Sequence, residues 1–329
     1  PFDYEVDEVK VHLVEVQQIP FQSKFWKFQN KTICKAIEDV TKTFKPDVIL
    51  AHFPVRYTGV IDSVCGNVPK IAVMHYTDLW ISQKHIHQIE GIGSKFDVTF
   101  TRSKSLLEES KKLGIKNLSD FIVYSGVPYA ESRRSADIAF SKDNPVKLLY
   151  VGKLIERKHL DYVIKAMGQL KRENNLMLTV VGEGPEKQRF EDISKKYGIE
   201  GQVRFIGKLT REEVYRAMGD ADIFIMPSVE ETLGLVYLEA MMNGCLTVGT
   251  KGEGIDGIIE DGKNGYLVDP GSEKSVVETL QRILRLPNDE IQQISLAATE
   301  TGKVFNEPDM AKRYLNRIRQ LVREKGGNA

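Results

Sequence analysis

The chain has few cysteines, no excess of either charge and no long apolar run. The spacings of its three cysteines are unrelated, which argues against a disulfide framework or a metal knuckle and favours a reducing compartment. Lys plus Arg number 46, as do Asp plus Glu, so a generic nucleic-acid-binding surface is not expected. No apolar run reaches the ~20 residues of a membrane span, and the first residues do not read as a signal peptide. Together these features predict a soluble cytoplasmic protein.

Short β-branched runs alternate with amphipathic stretches along the whole chain. Runs such as 70–76 and 221–227 are apolar on both faces, as strands covered by helices on two sides are. At ~150 residues per domain, 329 residues predict two domains. A segment rich in Ser, Pro and charge at 125–145 predicts a linker. We therefore expect an α/β fold with parallel sheets, in one domain at 1–130 and another at 146–305.

The first domain shows no recognisable opening unit of apolar strand, glycine-rich turn and helix. The chain instead begins with a strand-like segment, 9–16, that leads into a basic helix. Three explanations are open. The sequence lacks that unit, another chain supplies it, or the domain is atypical.

The segment PSVEETLGLVYLEAMMNG, 227–244, carries the strongest candidate site. It follows a predicted strand, and open α/β sheets bind ligands at the carboxyl ends of their strands. Gly234 permits a turn before a helix predicted over 235–243. The peptide N–H groups from Thr232 to Val236 would then meet an anion at the helix N-terminus.

Two glutamates of this segment, Glu231 and Glu239, lie eight positions apart near the same helix end. They could hold hydroxyl groups at two ends of one ligand. In the alternative, neither binds a ligand: one glutamate is favoured at the helix N-terminus by the helix dipole, and the other is an ordinary solvated side chain. Asp220 and Asp222 are spaced like a metal motif, but we assign them to a helix end and the start of a buried strand, so no metal site is expected.

A second candidate site is the basic loop that follows the strand LLYVG. After Gly152 the loop holds Lys153, Arg157 and Lys158, and a predicted helix follows. Three cations facing a helix N-terminus suit a diphosphate in charge and reach. The alternative is a solvated basic loop. The G-x-G pattern at 180–186 is weak, and we assign its glycines to a tight turn.

Six segments in order resemble the donor-binding half of glycosyltransferase family 4: VGKLIERK, VVGEGP, VRFIGKL, ADIFIMPS, EETLGLVYLEAM and EDGKNGYLVDPGS. A weaker resemblance continues upstream in KPDVILAHFP and PKIAVMHYTDLW. The resemblance implies the GT-B fold, in which two Rossmann-like domains face each other across a cleft. It also implies that the helix at 306–325 packs back on the first domain. The implied reaction retains the configuration of the anomeric carbon. The implied donor is a UDP- or GDP-linked sugar, and the reaction uses no metal or other cofactor.

The same resemblance implies roles for individual residues. Glu231 would contact the donor sugar, Glu239 the ribose hydroxyls and Lys158 the diphosphate. Lys153 stands where the family usually has arginine, and His159 where it usually has glycine. The remaining donor-site residues implied are Gly152, Ile206 and Leu209 (the last two lining the base), with Thr232, Leu233, Gly234, Leu235 and Val236.

His75, after a strand of the first domain, resembles the family's active-site histidine near the acceptor. The predicted catalytic set is thus Glu231, His75 and Lys158. His52 is a second candidate at a neighbouring strand end, and a structural role is the alternative for either histidine. The acceptor stays open among a glycan, a lipid-linked saccharide and a protein.

The expected activity is transfer of a hexosyl or N-acetylhexosaminyl group to an acceptor hydroxyl, with lysines stabilising the leaving diphosphate. Two alternatives are open. One is a nucleotide-sugar epimerase on the same fold. The other is a nucleotide-sugar-binding subunit or pseudoenzyme that needs a partner chain, because the family's first-domain glycine loop is not found.

Residues 21–45 combine six lysines with interleaved aromatic residues. A basic aromatic helix binds anionic bilayers, so peripheral contact with the inner membrane surface is one interpretation. In the alternative, Phe28, Ile33 and Val40 pack on the sheet and the lysines lie in water.

Overall fold

The computed structural model describes residues 2–6, 9–13, 22–56, 68–84, 92, 95–128, 138–141, 143–172 and 174–325. The chain divides into two compact units. The first comprises Pro1–Thr101, Leu107–Phe121 and Asn316–Ala329, and the second Arg102–Leu106 and Ile122–Leu315.

The first unit contains a four-stranded sheet in the order β3-β4-β5-β6, whose β3–β4 and β4–β5 pairs are parallel. An antiparallel hairpin, β1-β2, forms a sheet of its own, and its second strand ends at Leu13 rather than at 16 as predicted. Most of the basic segment 21–45 forms helix α1, which begins at Gln22. The elements are β1 (Phe2–Val6), β2 (Val9–Leu13), α1 (Gln22–Phe44), β3 (Ile49–His52), β4 (Lys70–Met74), α2 (Tyr76–Lys84), β5 (Val98–Thr101), α3 (Lys104–Lys112) and β6 (Leu118–Ile122).

The second unit is built on a six-stranded parallel sheet in the order β12-β11-β10-β7-β8-β9. Its elements are β7 (Val146–Val151), α4 (Leu160–Leu170), β8 (Leu176–Val181), α5 (Lys187–Lys196), β9 (Val203–Gly207), α6 (Arg211–Asp220), β10 (Ile223–Ile225), α7 (Leu235–Met242), β11 (Leu246–Thr250), β12 (Tyr266–Val268), α8 (Glu273–Leu284), α9 (Asn288–Val304) and α10 (Glu307–Glu324), whose residues from Asn316 onward belong to the first unit. The predicted α/β architecture with parallel sheets is confirmed.

The core of the second unit lies on both faces of its sheet. Every residue of β10 and β11 is buried, as expected for central strands covered on two sides. The short helix α7 packs Tyr237, Leu238 and Met241 into this core. Tyr237 also donates its hydroxyl to the Met226 carbonyl at 2.6 Å, which fixes the helix to the end of β10.

The strand order reverses at β7, because β8 lies on one side of it and β10 on the other. Open α/β sheets leave a crevice at the carboxyl ends of the strands at such a point. The loops after β7 and β10 meet there, and they carry the two candidate sites found in the sequence.

The segment that leads into the second unit pairs with the start of α10. The Val127 N–H donates to the Phe305 carbonyl at 2.8 Å, and the Glu307 N–H donates to the Val127 carbonyl at 2.9 Å. Part of the predicted linker, at 129–137 and 142, lies outside the described residues. The limits of the two domains stay a prediction.

Candidate active site

A cavity of about 410 Å³ lies at the carboxyl ends of β7 and β10, within the second unit. The loop after β7 contributes Gly152 and Lys158, and the segment after β10 contributes Glu231. The structure thereby brings together residues that the sequence places in separate motifs. The lining residues are Val151, Gly152, Lys158, Leu209, Arg211, Val214, Met226, Glu231, Gly234, Leu235, Val236 and Glu239.

Glu231 is held by hydrogen bonds and ion pairs to one carboxylate oxygen. Its Oε1 accepts from Arg157 Nη1 at 3.0 Å and from Ser228 Oγ at 2.9 Å, and Lys158 Nζ contacts the same oxygen. The side chains of Glu231 and Lys158 are 13% and 11% exposed, so water screens this pair weakly. Two of the three cations predicted to meet a diphosphate therefore contact the predicted sugar-binding carboxylate.

The loop that carries Glu231 is also fixed through its backbone. Arg157 Nη1 donates to the Val229 carbonyl at 3.1 Å, and the Val229 N–H donates to the Arg157 carbonyl at 2.9 Å. Glu230 adopts a left-handed conformation with φ +62°, which is uncommon for a residue with a side chain. This turn aims the next residue, Glu231, at the cavity.

The glycines at 180–186 serve packing between the loops after β7 and β8. A Cβ added at Gly182 would lie 1.9 Å from the Gly152 carbonyl oxygen, and one at Gly184 would lie 2.2 Å from that of Leu154. The Leu154 N–H donates to the Glu183 carbonyl at 2.9 Å. Their lack of side chains allows this close approach, and Gly152 then borders the cavity.

The N-terminus of α7 opens onto the cavity. Gly234 precedes the helix with φ +76°, and Leu235 and Val236 of the first turn line the cavity. The first N–H groups of a helix have no carbonyl partner within it, and they carry the positive end of its dipole. Gly244 follows the end of the helix with φ +75°, a left-handed conformation common after helix C-termini.

Glu239 lies one turn further along α7 and faces helix α6. Its Oε1 accepts the Tyr215 hydroxyl at 3.2 Å, and Arg211 Nε lies 3.9 Å away. Burial raises the pKa of Glu239, although the Tyr215 hydroxyl and Arg211 act in the opposite direction. Burial and the Glu239 charge raise the pKa of Tyr215 to about 12, so its hydroxyl is protonated near neutral pH and can donate.

Not every predicted donor-site residue reaches this cavity. Ile206 borders a second cavity of about 380 Å³ that also contains Arg204 and Asp220, whereas Leu209 lines the first. Lys153 is exposed and is not among the lining residues of either cavity. Thr232 and Leu233 lie in the turn before Gly234, and the side chain of Leu233 is buried in the core.

His159 occupies a backbone position that suits glycine. Its φ is +49°, between the 3₁₀ turn Glu156–Lys158 and the start of α4. Its ring stacks on Tyr162 with centroids 4.5 Å apart. The left-handed conformation gives a physical reason for the glycine usual at this position in the family that the sequence resembles.

The family model described as "Glycosyl transferases group 1" matches residues 132–301, which is more than half of the chain. The chain belongs to this family. The match lies on the unit that contains the cavity. Assignment to family 4 and retention of configuration stay predictions.

Individual relatives agree with this family. Glycogen synthase of Mycobacterium tuberculosis is 26% identical over 263 residues, which cover 75% of this chain and 62% of that protein. Thus the chain spans less than two thirds of this curated relative. Among solved structures, sucrose-phosphate synthase of Thermosynechococcus elongatus matches with a TM-score of 0.77 at 18% identity, covering 98% of this chain and 86% of that one. Anabaena HepE, solved with UDP and glucose, matches with a TM-score of 0.70 at 16% identity, covering 92% and 84%. These neighbours show that the chain has the GT-B fold.

The two candidate histidines meet in the first unit. His52, at the end of β3, and His75, after β4, approach with Nδ1 and Nε2 3.0 Å apart. Phe53 stacks on the His75 ring with centroids 4.0 Å apart. The buried Asp78 accepts the His75 N–H at 2.8 Å and holds the start of α2 against β4.

The aspartates spaced like a metal motif have structural positions. Asp222 Oδ2 accepts the Lys147 N–H at 2.8 Å, which ties β7 to the start of β10. Asp220 is the last residue of α6. Among the described residues, no group of three or more His, Cys, Asp or Glu is placed to hold a metal ion.

Sequence reasoning missed several residues that support the predicted ones. Ser228, Tyr215 and Arg211 contact Glu231 or Glu239, and Glu253 bonds the Glu231 backbone. The sequence does contain a local pattern that places two of these residues, Arg211 and Tyr215, on the first turns of α6. Thr210 and Glu213 form a capping box that fixes the helix start, and Arg211 and Tyr215 then share a face at i, i+4 spacing.

Proposed function

We propose that the chain transfers a hexosyl or N-acetylhexosaminyl group from a nucleoside-diphosphate sugar to an acceptor hydroxyl, with retention of configuration. One observation carries the proposal. Glu231, Glu239, Lys158 and the N-terminus of α7 border a single cavity at the point where the strand order reverses. Family membership supports the reaction class.

The charges of the cavity suit a diphosphate between two hydroxyl-bearing groups. Lys158 and the first turn of α7 supply positive potential, and Gly152 lets the backbone come close to a phosphate. Lys153, which follows Gly152 in the same loop, would move its side chain toward the diphosphate when the ligand binds and add a positive charge there. Since Lys158 contacts Glu231 in the free protein, a bound diphosphate would take over part of that contact.

The nucleoside lies on the α6 side of the cavity in this proposal. Glu239 accepts hydrogen bonds from the ribose hydroxyls, and Leu209 and Val214 give the base an apolar wall, with Ile206 beyond it. HepE was solved with UDP and glucose, which makes UDP-sugars the first donors to test and GDP-sugars the second.

The chemical step breaks the bond between the anomeric carbon and the diphosphate oxygen. The acceptor oxygen forms its bond to that carbon on the same face, and its proton passes to a phosphate oxygen. Lys153, Lys158 and the helix N-terminus stabilise the charge on the departing diphosphate. Glu231 contacts the sugar and His75 the acceptor, and the chain's own cations serve in this scheme without a metal or other cofactor.

The acceptor is a glycan, a lipid-linked saccharide or a protein. The end of α1 favours a lipid-linked acceptor at the inner membrane surface, because Phe44 is 75% exposed and lies between Lys42 and Lys45. Among the helices that the structure describes, none has the length and apolarity needed to cross a bilayer.

The deciding experiment is a thermal-shift screen of UDP- and GDP-sugars, followed by donor turnover with the best ligand. We expect Glu231→Ala to reduce transfer at least 100-fold, and Lys158→Ala to weaken nucleoside-diphosphate binding about 10-fold. Glu260→Ala and Lys263→Ala are matched controls, since this exposed pair, 2.7 Å apart, lies outside the cavity.

The outcomes separate the alternatives. Donor binding without transfer or hydrolysis would favour a binding subunit or pseudoenzyme that needs a partner chain. Release of nucleoside diphosphate with an inverted C2 centre in the sugar would favour an epimerase. If neither substitution changes binding or transfer, the site assignment is wrong.

A further inference from the structure

Glu253 contacts the backbone of the predicted sugar-binding residue. It lies in the loop after β11, more than twenty residues from Glu231 in sequence. Its Oε2 accepts the Glu231 N–H at 2.9 Å. Glu231 is thus held at both ends, its side chain by Arg157 and Lys158 and its backbone by Glu253.

A second observation shows that the loop after β11 packs closely against the loop after β10. A Cβ added at Gly254 would lie 2.4 Å from the Leu233 Cα and 2.6 Å from the Thr232 carbonyl carbon. Since both are backbone atoms, a side chain at 254 would push the loops apart. Gly254 is buried, and its neighbour Glu253 is carried to within hydrogen-bond distance of Glu231.

The carboxylate of Glu253 occupies an unfavourable electrostatic position. Burial raises the pKa of Glu253, the negative charges of Glu231 and Glu230 raise it further, and the hydrogen bond from the Glu231 N–H lowers it. Partial burial and two neighbouring carboxylates disfavour the ionised form of a carboxyl group unless specific hydrogen-bond donors stabilise it. The donor here is the peptide N–H of Glu231, which directly follows the left-handed residue Glu230.

We propose that Glu253 is a positioning residue for transfer: by accepting the N–H group of Glu231, it fixes the turn that directs the Glu231 carboxylate at the donor sugar. The inference rests on the proposed function of Glu231. Glu253 does not line the cavity and acts through the backbone alone. Displacing a positioned group by about 1 Å can cost ~100-fold in rate, so a modest shift of this turn is sufficient.

The first test measures the turn itself, without reference to activity. Hydrogen–deuterium exchange of peptides covering 229–234 is compared in the full chain and in Glu253→Ala, Glu253→Gln and Asp256→Ala. We expect at least 10-fold faster exchange at 230 and 231 in Glu253→Ala only. The amide oxygen of Gln still accepts an N–H, and Asp256 bonds the Gly252 N–H inside its own loop. Unchanged exchange in Glu253→Ala overturns the proposal.

The second test measures the consequence for transfer. We expect Glu253→Ala to lower kcat 10- to 100-fold, while the Kd for the nucleoside diphosphate stays within 2-fold of the wild-type value. We expect the kcat of Glu253→Gln to lie within 3-fold of the wild-type value. Loss of nucleoside-diphosphate binding in parallel with kcat, or faster exchange at 230–231 with unchanged kcat, contradicts a positioning role. If Glu231→Ala also leaves transfer unchanged, the proposed function fails instead, and the exchange data still decide whether Glu253 holds the turn.

Discussion

The two glutamates of the cavity are fixed in different ways, although the sequence presents them as a pair. Glu231 has cationic donors on one oxygen, whereas Glu239 is buried against Tyr215 and has only a distant cation, Arg211 at 3.9 Å. Burial therefore raises the pKa of Glu239, and the Tyr215 hydroxyl is the hydrogen bond that offsets this. A carboxylate that receives few donors from the protein has lone pairs left for a ligand's hydroxyl groups.

Replacing Tyr215 with Phe tests the role of that hydroxyl. Removing one hydrogen bond to a charged group costs about 1–1.5 kcal/mol at this length, so we expect the Kd for the nucleoside diphosphate to rise about 5- to 12-fold. The loss should disappear with the 2′,3′-dideoxy nucleotide, because Glu239 then has no ribose hydroxyl to hold. Isothermal titration calorimetry with both nucleotides gives the comparison. An equal loss for both would show that Tyr215 does not act through Glu239.

The sequence predicts these residues unequally, and the reason is physical. Glu231, Gly234 and Glu239 follow from a strand, a turn and a helix that are contiguous in the chain. Ser228 and Tyr215 carry no local signal of their contacts, because Tyr215 reaches Glu239 only after α6 and α7 pack beside each other. Side-chain partners that depend on such packing need three-dimensional structure.

At the scale of elements, the site depends on how closely the loop after β8 packs on the loop after β7. Gly182 has φ +134° and lies against the Gly152 carbonyl, so both its conformation and its contact require glycine. The strands β7 to β11 and their alternation with helices were predictable from apolar runs, whereas the three-residue strand β12 was not predicted. The closeness of these two loops was not predictable, because a lone G-x-G pattern does not specify its neighbour.

We expect Gly182→Ala to destabilise the chain by ~2–4 kcal/mol, since a strained φ is combined with a steric overlap on backbone. The change should also weaken nucleoside-diphosphate binding, because the displaced loop carries Gly152. Gly201→Ala is the matched control: its added Cβ has no atom within 4 Å, and we expect less than ~0.5 kcal/mol. Urea unfolding of both variants measures the difference. Equal midpoints would contradict this account of the packing.

At the scale of the whole molecule, a formal charge of zero conceals an uneven distribution. Six lysines lie at 21–45, and acidic residues elsewhere offset them. Composition alone predicted the absence of a generic nucleic-acid surface, but it could not say whether the basic helix faces water or the sheet. In the part of α1 whose side chains are described, Lys35, Lys42 and Phe44 are all exposed, which is the arrangement that an anionic bilayer attracts.

Binding to vesicles of phosphatidylglycerol and phosphatidylcholine tests this interpretation. Each lysine near an anionic surface contributes ~1 kcal/mol, so replacing Lys35, Lys42 and Lys45 with Gln should weaken binding on the order of 100-fold at low salt. Replacing three exposed lysines of α5, Lys187, Lys195 and Lys196, changes the net charge equally and should have little effect. Because screening shortens the range of these interactions to about 8 Å at physiological salt, binding should also fall steeply as salt rises. Equal losses of vesicle binding in the two triple variants would indicate a response to net charge alone. If the wild type does not bind vesicles at low salt, α1 gives no support to a lipid-linked acceptor.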